Sequence, residues 1–174
     1  MNNKPKLLYE KYKELVFNVA LHYTQNIEDA EEITQDVFIS IFENIKDFRE
    51  ESTLKTWAYR ITINKSLDFL KSKKRLKRIF FFKSLKIDDQ EKKISIPEIN
   101  HPGVILENKE SVNAIFNGIN KLPSKLKTVI ILLKIEGKSQ KETAKIMQLS
   151  VKAIESLFQR AKKKLAVILK DNEI

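Results

Sequence analysis

The chain has 174 residues, a hydrophobic content of 42%, three glycines, four prolines and a net charge of +10. Its apolar runs fall short of the roughly 18 to 20 residues that a bilayer crossing needs, its N-terminus lacks the apolar stretch of a secretion signal, and it has no cysteine. Membrane insertion, disulfides and thiolate metal sites are therefore excluded, a cytoplasmic protein is expected, and the scarcity of turn residues favours long helices over strand-rich folds.

Charge is patterned along the chain. Two acidic segments, residues 1–60 and 88–110, alternate with two basic segments, residues 61–87 and 111–174. Basic segments suggest contacts with a polyanion, and an acidic segment on a folded domain suggests a protein partner. A surface that lysines merely keep solvated is the alternative for any single segment.

The first 70 or so residues predict three amphipathic helices. In the second of them apolar side chains recur at steps of three and four from Ile33 to Phe48, which is the spacing of one helical face. Asn26 is a suitable N-cap for this helix, and either Ser52 or Thr53 is suitable for the next one. Three helices with wide apolar faces predict a compact bundle.

The regular spacing of apolar residues ends after the third predicted helix. Residues 83–104 are polar and contain Pro97 and the cluster His101-Pro102-Gly103, which interrupt any helix. We read this stretch as part of a flexible linker. The predicted fold is therefore all-α, with a helical domain over residues 1–78, a linker over 79–106 and a second helical domain over 107–174.

The second domain carries the parts of a helix-turn-helix. Pro123 suits the first position of a helix that Gly137 can end, and Ser139-Gln140-Lys141-Glu142 is a capping-box pattern that opens a short helix. A turn follows, with Ser150 as the N-cap of a long basic helix. A short helix, a turn of about three residues and a longer basic helix form such a motif.

The second helix of a helix-turn-helix reads the DNA major groove with its solvent face. Arg160 suits guanine or phosphate, Gln159 suits adenine, and Glu155 can accept from cytosine. An ordinary solvated helix face is the competing interpretation. The candidate face contains Lys152, Glu155, Ser156, Gln159, Arg160 and Lys163.

Two further surfaces stand out in the first domain. The segment around Trp57 mixes aromatic, basic and amide side chains, a mixture that can stack unpaired bases and hold phosphates, although a lone tryptophan at helical spacing is more often a core residue. The helix after Asn26 has an acidic face, which favours a basic protein partner over catalysis. Only two histidines occur, neither at ligand spacing with this face, and the glycine-rich loops and nucleophile elbows of common enzymes are absent.

Two stretches resemble a known family. Residues 29–38, Phe48, residues 56–61 and Asn64 resemble region 2 of the extracytoplasmic-function (ECF) sigma factors of the sigma-70 family, the group that includes RpoE-like factors. Residues 122–165 resemble their region 4. The resemblance covers both domains in the right order, and it implies a factor that joins core RNA polymerase and directs promoter-specific transcription initiation without enzymatic activity, cofactor or metal.

The resemblance also implies roles for individual residues. The acidic helix of region 2 docks on the clamp helices of the polymerase beta-prime subunit, and region 2 melts the −10 element and captures a flipped-out base, while region 4 reads the −35 element and meets the beta flap. Core binding is expected of Glu32, Gln35 and Asp36. Recognition of the −10 element is expected of Phe48, Arg49, Ser52, Thr53, Trp57, Arg60, Asn64 and Lys65. Recognition of the −35 element is expected of the six residues on the candidate face of the last helix. An anti-sigma factor is a further candidate partner.

The sequence departs from the family at two places. Glu155 and Leu157 stand where many relatives carry arginine, so the resemblance does not give the −35 preference. A basic stretch over residues 71–78 leads into the aromatic run Ile79–Phe82, which the resemblance leaves without a role.

Three other classes of protein compete with this interpretation. A two-domain regulator would bind duplex DNA tightly by itself and often as a dimer, whereas a sigma factor binds promoters strongly only with core polymerase. A nucleic-acid enzyme would need a catalytic constellation that the sequence lacks. A membrane-surface protein is compatible with the charge, but no helix requires that explanation.

Overall fold

The computed structural model describes residues 4–48, 52–84 and 109–171. Within these ranges the regular structure is helical and contains no strand, which confirms the all-α prediction. The α-helices are α1 (Lys4–Thr24), α2 (Ile27–Asn44), α3 (Leu54–Ser84), α4 (Lys109–Asn120), α5 (Ser124–Ile130), α6 (Gln140–Met147) and α7 (Val151–Lys170). A short 3-10 turn, Ile45–Asp47, follows α2, and a π-helical segment, Ile131–Ile135, continues α5.

Helices α1 to α3 form the N-terminal bundle. The predicted stripe of α2 is its buried face, with Ile33, Val37 and Ile41 almost wholly inaccessible to solvent. Asn26 caps α2 as predicted, because its side chain accepts a hydrogen bond from the Asp29 N–H at 2.8 Å. The core of this bundle contains Tyr12, Val16, Ala20, Leu21, Ala30, Ile33, Val37, Phe38, Ile41 and Ala58.

Helices α4 to α7 form the C-terminal unit. Pro123 is the N-cap of α5 and not its first helical residue, which corrects the sequence prediction by one position. Its ψ of 146° is extended, and its carbonyl accepts from the Lys127 N–H at 2.9 Å, so the helix begins at Ser124. Gly137 ends the α5 region with a φ of +62°, a conformation that glycine adopts at little cost.

Helix α3 extends beyond the N-terminal bundle. It continues to Ser84, so residues 79–84 are helical although the predicted linker begins at 79, and residues 85–108 lie outside the described part of the chain. The projecting end carries Leu76, Ile79 and Phe80 with most or about half of each side chain exposed. The division at 78 and 106 therefore stays a prediction.

The two bundles pack directly on one another. A second hydrophobic core combines Val19 and Tyr23 of α1 and Tyr59 and Ile63 of α3 with the buried residues of the C-terminal unit. In addition to the packing within each bundle, α3 contacts α6, the first helix of the predicted helix-turn-helix. The surface of α3 predicted to bind the −10 element consequently lies against the C-terminal unit in this structure.

Candidate nucleic-acid interface

Capping side chains set the boundaries of the helix-turn-helix. The Ser139 hydroxyl accepts from the Glu142 N–H at 3.2 Å while the Glu142 carboxylate accepts from the Ser139 N–H at 2.9 Å, which forms the predicted capping box of α6. Gln148 ends α6 in the left-handed region, with a φ of 55° and a ψ of 44°. Ser150 then caps α7 by accepting from the Ala153 N–H at 3.2 Å. The chain thus reverses over three residues, as a helix-turn-helix requires.

Helix α7 separates a buried face from an exposed one. Ile154 and Ala161 are fully buried against α5 and α6. The six residues predicted to read DNA are all exposed, and they occupy the opposite face over the first three and a half turns: Lys152, Glu155, Ser156, Gln159, Arg160 and Lys163. The structure therefore brings all six together on one surface that a DNA groove can reach.

The start of α3 forms the second predicted DNA surface. The Thr53 hydroxyl accepts from the Thr56 N–H at 3.2 Å, so Thr53 and not Ser52 caps the helix. The Trp57 ring packs against Phe48 with centroids 5.1 Å apart, and both rings are half-buried. The Trp57 ring therefore packs against the segment that precedes α3, and it is also a candidate surface on which an unpaired base can stack. Arg49 lies outside the described residues.

Arg60 and Asn64 follow one turn apart on α3 and face the C-terminal unit. The Arg60 guanidinium donates to the Lys145 carbonyl at 2.8 Å and to the Ile146 carbonyl at 3.3 Å, at the C-terminal end of α6. Asn64 is exposed and Lys65 is half-buried. Of the predicted −10 residues, Arg60 is thus bound to the helix-turn-helix and Asn64 stands free beside it.

Two clefts separate the α3 surface from the C-terminal unit. The larger, of about 990 Å³, is lined on the α3 side by Phe48, Ser52, Thr53 and Arg60 and on the other side by the polar residues Lys138, Glu142 and Lys145. The smaller, of about 240 Å³, has Arg60, Asn64, Lys125, Gln148 and Leu149 among its lining residues. Five of the eight predicted −10 residues therefore line one or the other of these two clefts: Phe48, Ser52, Thr53, Arg60 and Asn64.

The acidic face of α2 points to solvent. Glu32, Gln35 and Asp36 are all exposed, one turn or less apart. Asp29, nearer the start of the helix, forms an ion pair with Lys73 of the projecting end of α3. The three residues predicted to bind polymerase remain accessible as one polar patch.

Glu136 connects the two bundles, a role that the sequence did not reveal. Its carboxylate accepts from the Tyr59 hydroxyl at 2.8 Å and pairs with His22 Nδ1 at 2.9 Å. Burial alone would raise the pKa of Glu136, but the hydrogen bonds from His22 and Tyr59 and the charge of Lys138 outweigh it and lower the pKa. Burial and the bond to Glu136 raise the pKa of Tyr59. The carboxylate is therefore held ionised in a mostly buried position.

A second set of polar contacts lies around Lys127 of α5. Its ammonium donates to the Tyr23 carbonyl at 2.9 Å and to Asn120 Oδ1 at 2.6 Å, and burial lowers its pKa to about 8. The Tyr23 hydroxyl donates to the Thr128 hydroxyl at 2.7 Å. Lys127 and Thr128 are polar residues among the buried side chains Leu126, Val129 and Ile130 of α5, and that irregularity is a signal of this interface in the sequence.

The described residues contain no cluster of histidine, aspartate and glutamate suited to holding a metal ion. Among the helices that the structure describes, none is both long enough and apolar enough to cross a membrane.

Comparison with protein families identifies both bundles. The model "Sigma-70 region 2" matches residues 8–76, and the model "Sigma-70, region 4" matches residues 113–165. The ECF RNA polymerase sigma-E factor of Haemophilus influenzae is 28% identical over 156 residues, which cover 90% of this chain and 82% of that protein. The ECF RNA polymerase sigma factor SigW of Bacillus subtilis is 29% identical over 164 residues, which cover 92% of this chain and 86% of that protein.

Solved structures share the arrangement of helices. The sigma factor RpoE of Bartonella quintana, solved with the anti-sigma factor NepR, matches with a TM-score of 0.63 and 20% identity over 97% of this chain and 98% of that one. CnrH, solved with the cytosolic domain of CnrY, matches with a TM-score of 0.65 and 21% identity over 98% of this chain and 90% of that one. At these identities the likeness supports the fold.

Proposed function

The chain belongs to the ECF sigma factors of the sigma-70 family, and we propose that three of its surfaces divide the work of that family. As an RNA polymerase sigma factor it binds core RNA polymerase and promoter DNA and directs promoter-specific transcription initiation. The main support for assigning three separate roles is that an acidic face, a face with aromatic and amide side chains, and a helix-turn-helix lie on different helices.

The acidic face of α2 is the proposed contact with core polymerase. Glu32, Gln35 and Asp36 are exposed and adjacent, and they can pair with a basic surface such as the clamp helices of the beta-prime subunit. Since surface charges act mainly on association rate and specificity, this face orients the factor on the enzyme. Region 4 makes the second proposed contact, with the beta flap.

The start of α3 and its cleft are the proposed site for the −10 element. Extruding a base from the duplex costs a few kcal/mol, which pocket contacts and stacking must offset. Asn64 supplies amide donors and an acceptor for a base edge, Arg60 and Lys65 supply charge for phosphates, and Trp57 with Phe48 supplies aromatic surface. Ser52, Thr53 and Arg49 complete the proposed set at the entrance to the helix.

Helix α7 is the proposed reader of the −35 duplex. Arg160 and Gln159 carry the geometry for guanine and adenine edges, and Lys152 and Lys163 can hold phosphates on either side. Ser156 and Glu155 lie between them on the same exposed face. The acidic side chain of Glu155 favours a cytosine amino group at its position.

The remaining expectations follow from this division of work. The factor acts by binding and melting DNA, so we infer that it is not an enzyme and carries no catalytic residue. Its partners place it in the cytoplasm, at the nucleoid when it is bound to polymerase. An anti-sigma factor is a proposed further partner, because the sigma factor RpoE of Bartonella quintana was solved in complex with the anti-sigma factor NepR.

Transcription from matched templates tests the assignment of the two DNA surfaces. Holoenzyme with Asn64→Ala should initiate about tenfold less often from a fully duplex promoter and recover on a template whose −10 region is already unpaired, because melting then needs no pocket. Holoenzyme with Arg160→Ala should be about tenfold impaired on both templates, since one base contact is worth about 1 to 3 kcal/mol.

The matched control is Lys170→Ala, which removes an exposed charge from the last residue of α7, seven positions beyond Lys163. It should transcribe both templates at the wild-type rate. Wild-type initiation by Asn64→Ala on the duplex promoter would show that the pocket assignment is wrong.

A further inference from the structure

The projecting end of α3 combines an exposed apolar stripe with a cationic rim. The stripe contains Leu76, Ile79 and Phe80, which recur at steps of three and four residues and are 49%, 53% and 67% exposed. Arg75 and Lys77 are exposed and flank the stripe, each about 100° around the helix from its centre. No helix requires a membrane surface on sequence grounds, but the continuation of α3 to Ser84 creates one helix with both of these features.

The stripe continues a face of α3 that is packed inside the N-terminal bundle. Leu76 follows Ala58 by eighteen residues and Phe69 by seven, and both steps return to nearly the same side of an α-helix. Ala58 is buried in the core of that bundle, and Phe69 packs against it. Beyond Lys73, which pairs with Asp29 at the start of α2, the described part of the fold leaves this face largely in water. Such an apolar face indicates a binding surface.

The same end of α3 concentrates positive charge. Residues 74–78 contain four exposed cations, Lys74, Arg75, Lys77 and Arg78, and no acidic residue. None of the four forms an ion pair with another described residue. The partner of this surface must therefore neutralise positive charge as well as cover apolar side chains.

An anionic bilayer surface satisfies both requirements. A second copy of the chain could cover the stripe only by bringing two sets of cations together. Duplex DNA could neutralise the cations, but it would leave Leu76, Ile79 and Phe80 in water. At a bilayer the apolar side chains enter the boundary between headgroups and acyl chains, and the stems of arginine and lysine extend back to the lipid phosphates.

We propose that the projecting end of α3 is a membrane-surface anchor that binds bilayers containing anionic phospholipid. Leu76, Ile79 and Phe80 lie below the headgroups, and Arg75 and Lys77 lie beside the phosphates. The helix rests on the surface and does not cross it, since residues 74–84 span only about 17 Å. The anchor gives the basic stretch a role separate from the polymerase and promoter contacts proposed above.

Co-sedimentation of the full chain with sucrose-loaded vesicles tests the anchor. The wild type should bind phosphatidylcholine vesicles that contain one third phosphatidylglycerol, and it should bind pure phosphatidylcholine about tenfold or more weakly, because the attraction between charges is then lost. Arg75→Gln with Lys77→Gln should weaken binding to the anionic vesicles by about fivefold for each charge removed. Lys141→Gln with Lys170→Gln removes the same charge from exposed sites on α6 and α7 and should bind like wild type.

Two pairs of serine substitutions test the apolar stripe without changing charge. Ile79→Ser with Phe80→Ser should weaken binding to the anionic vesicles by about tenfold or more, because two largely exposed apolar side chains no longer leave water. Ile115→Ser with Val167→Ser removes side chains of comparable exposure, 44% and 58%, from the C-terminal unit and should leave binding unchanged.

A fluorescent label reports whether the stripe enters the bilayer. The chain has no cysteine, so Leu76→Cys places one environment-sensitive label on the stripe, and Ile115→Cys places the same label on α4. On anionic vesicles the emission of the label at position 76 should shift to the blue and be quenched by spin-labelled acyl chains. The label at position 115 should show neither change.

Two results would overturn the anchor. If Ile79→Ser with Phe80→Ser binds vesicles as well as wild type does, or if the label at position 76 stays in water on bound vesicles, the chain is only adsorbed by its charge. If vesicles are not bound, but a duplex of random sequence is bound and Arg75→Gln with Lys77→Gln weakens that binding, the partner of this surface is DNA phosphate.

Discussion

Arg60 illustrates how one side chain can serve two states. In this structure its guanidinium binds two carbonyls at the C-terminal end of α6, where the partial negative charge of the helix dipole favours a cation. A DNA phosphate has charged oxygen atoms that can accept hydrogen bonds from the same guanidinium. Such bonds are shorter and stronger than bonds to neutral carbonyls. In the proposed complex with the −10 strand, a phosphate can therefore replace the two carbonyls as the partner of Arg60.

The lowered pKa of Lys127 predicts how the stability of the fold depends on pH. Its pKa of about 8 lies below the ordinary 10.5, so between these values the unfolded chain binds a proton that the folded chain does not, and stability rises with pH. From pH 8.0 to 9.5 the free energy of unfolding should therefore rise by about 1 to 2 kcal/mol more in the wild type than in Lys127→Met. Urea titrations at the two pH values measure this difference.

The comparison between the two proteins cancels the tyrosines, whose raised pKa values in the folded state would lower stability only as the unfolded tyrosines ionise near pH 10. An equal pH dependence in the wild type and Lys127→Met would contradict the buried, partly neutral lysine.

Asp36 carries a prediction about polymerase. Asp36→Lys places a positive charge on an exposed face proposed to meet a basic surface, so association with core should slow by about tenfold or more at low salt and less at high salt. Stopped-flow fluorescence with labelled core measures the rate, and Glu10→Lys on α1 is the matched charge reversal that should leave it unchanged. Equal association rates for Asp36→Lys and wild type would remove α2 from the contact.

At the scale of the element, α6 depends on its cap for its starting point. Eight residues are too few for a stable isolated helix, so the capping box of Ser139 and Glu142 and packing against α7 must hold it. Ser139→Ala should lower the free energy of unfolding by about 1 kcal/mol, and Ser139→Asp should restore most of it, because aspartate also caps. Chemical denaturation checks both, and an unchanged midpoint for Ser139→Ala would show that the cap contributes nothing.

Sequence reasoning succeeded where the information is local. The stripe of α2, the caps at Asn26, Ser139 and Ser150 and the exposed face of α7 each follow from spacings of a few residues, and the structure places them as expected. The roles of individual residues in core binding and −10 recognition came from the resemblance and not from spacing. These residues cluster in space, and their roles stay predictions.

What sequence reasoning missed depends on contacts between distant residues. Tyr23 and Thr128 are 105 positions apart, and Tyr59 and Glu136 are 77 apart, so no local pattern relates them. The continuation of α3 to Ser84 was not predicted, because Leu76, Ile79 and Phe80 are exposed and no core in the described residues accounts for their helical spacing. The left-handed cap at Gln148 was also missed, since glycine is the usual signal for that conformation.

At the scale of the whole molecule, the structure places region 2 and region 4 around a shared core while leaving the polymerase face open. The polar contacts of Glu136, Lys127 and Arg60 join the two bundles in addition to this core.

Run-off transcription with purified core polymerase on genomic fragments, with and without this protein, tests the central claim most directly. We predict defined new start sites that require the protein, whose alignment reveals a −10 and a −35 element, and no retention of those fragments by the protein alone. Specific retention of duplex fragments by the protein alone, without any protein-dependent start site, would contradict the account and identify a regulator that binds DNA by itself.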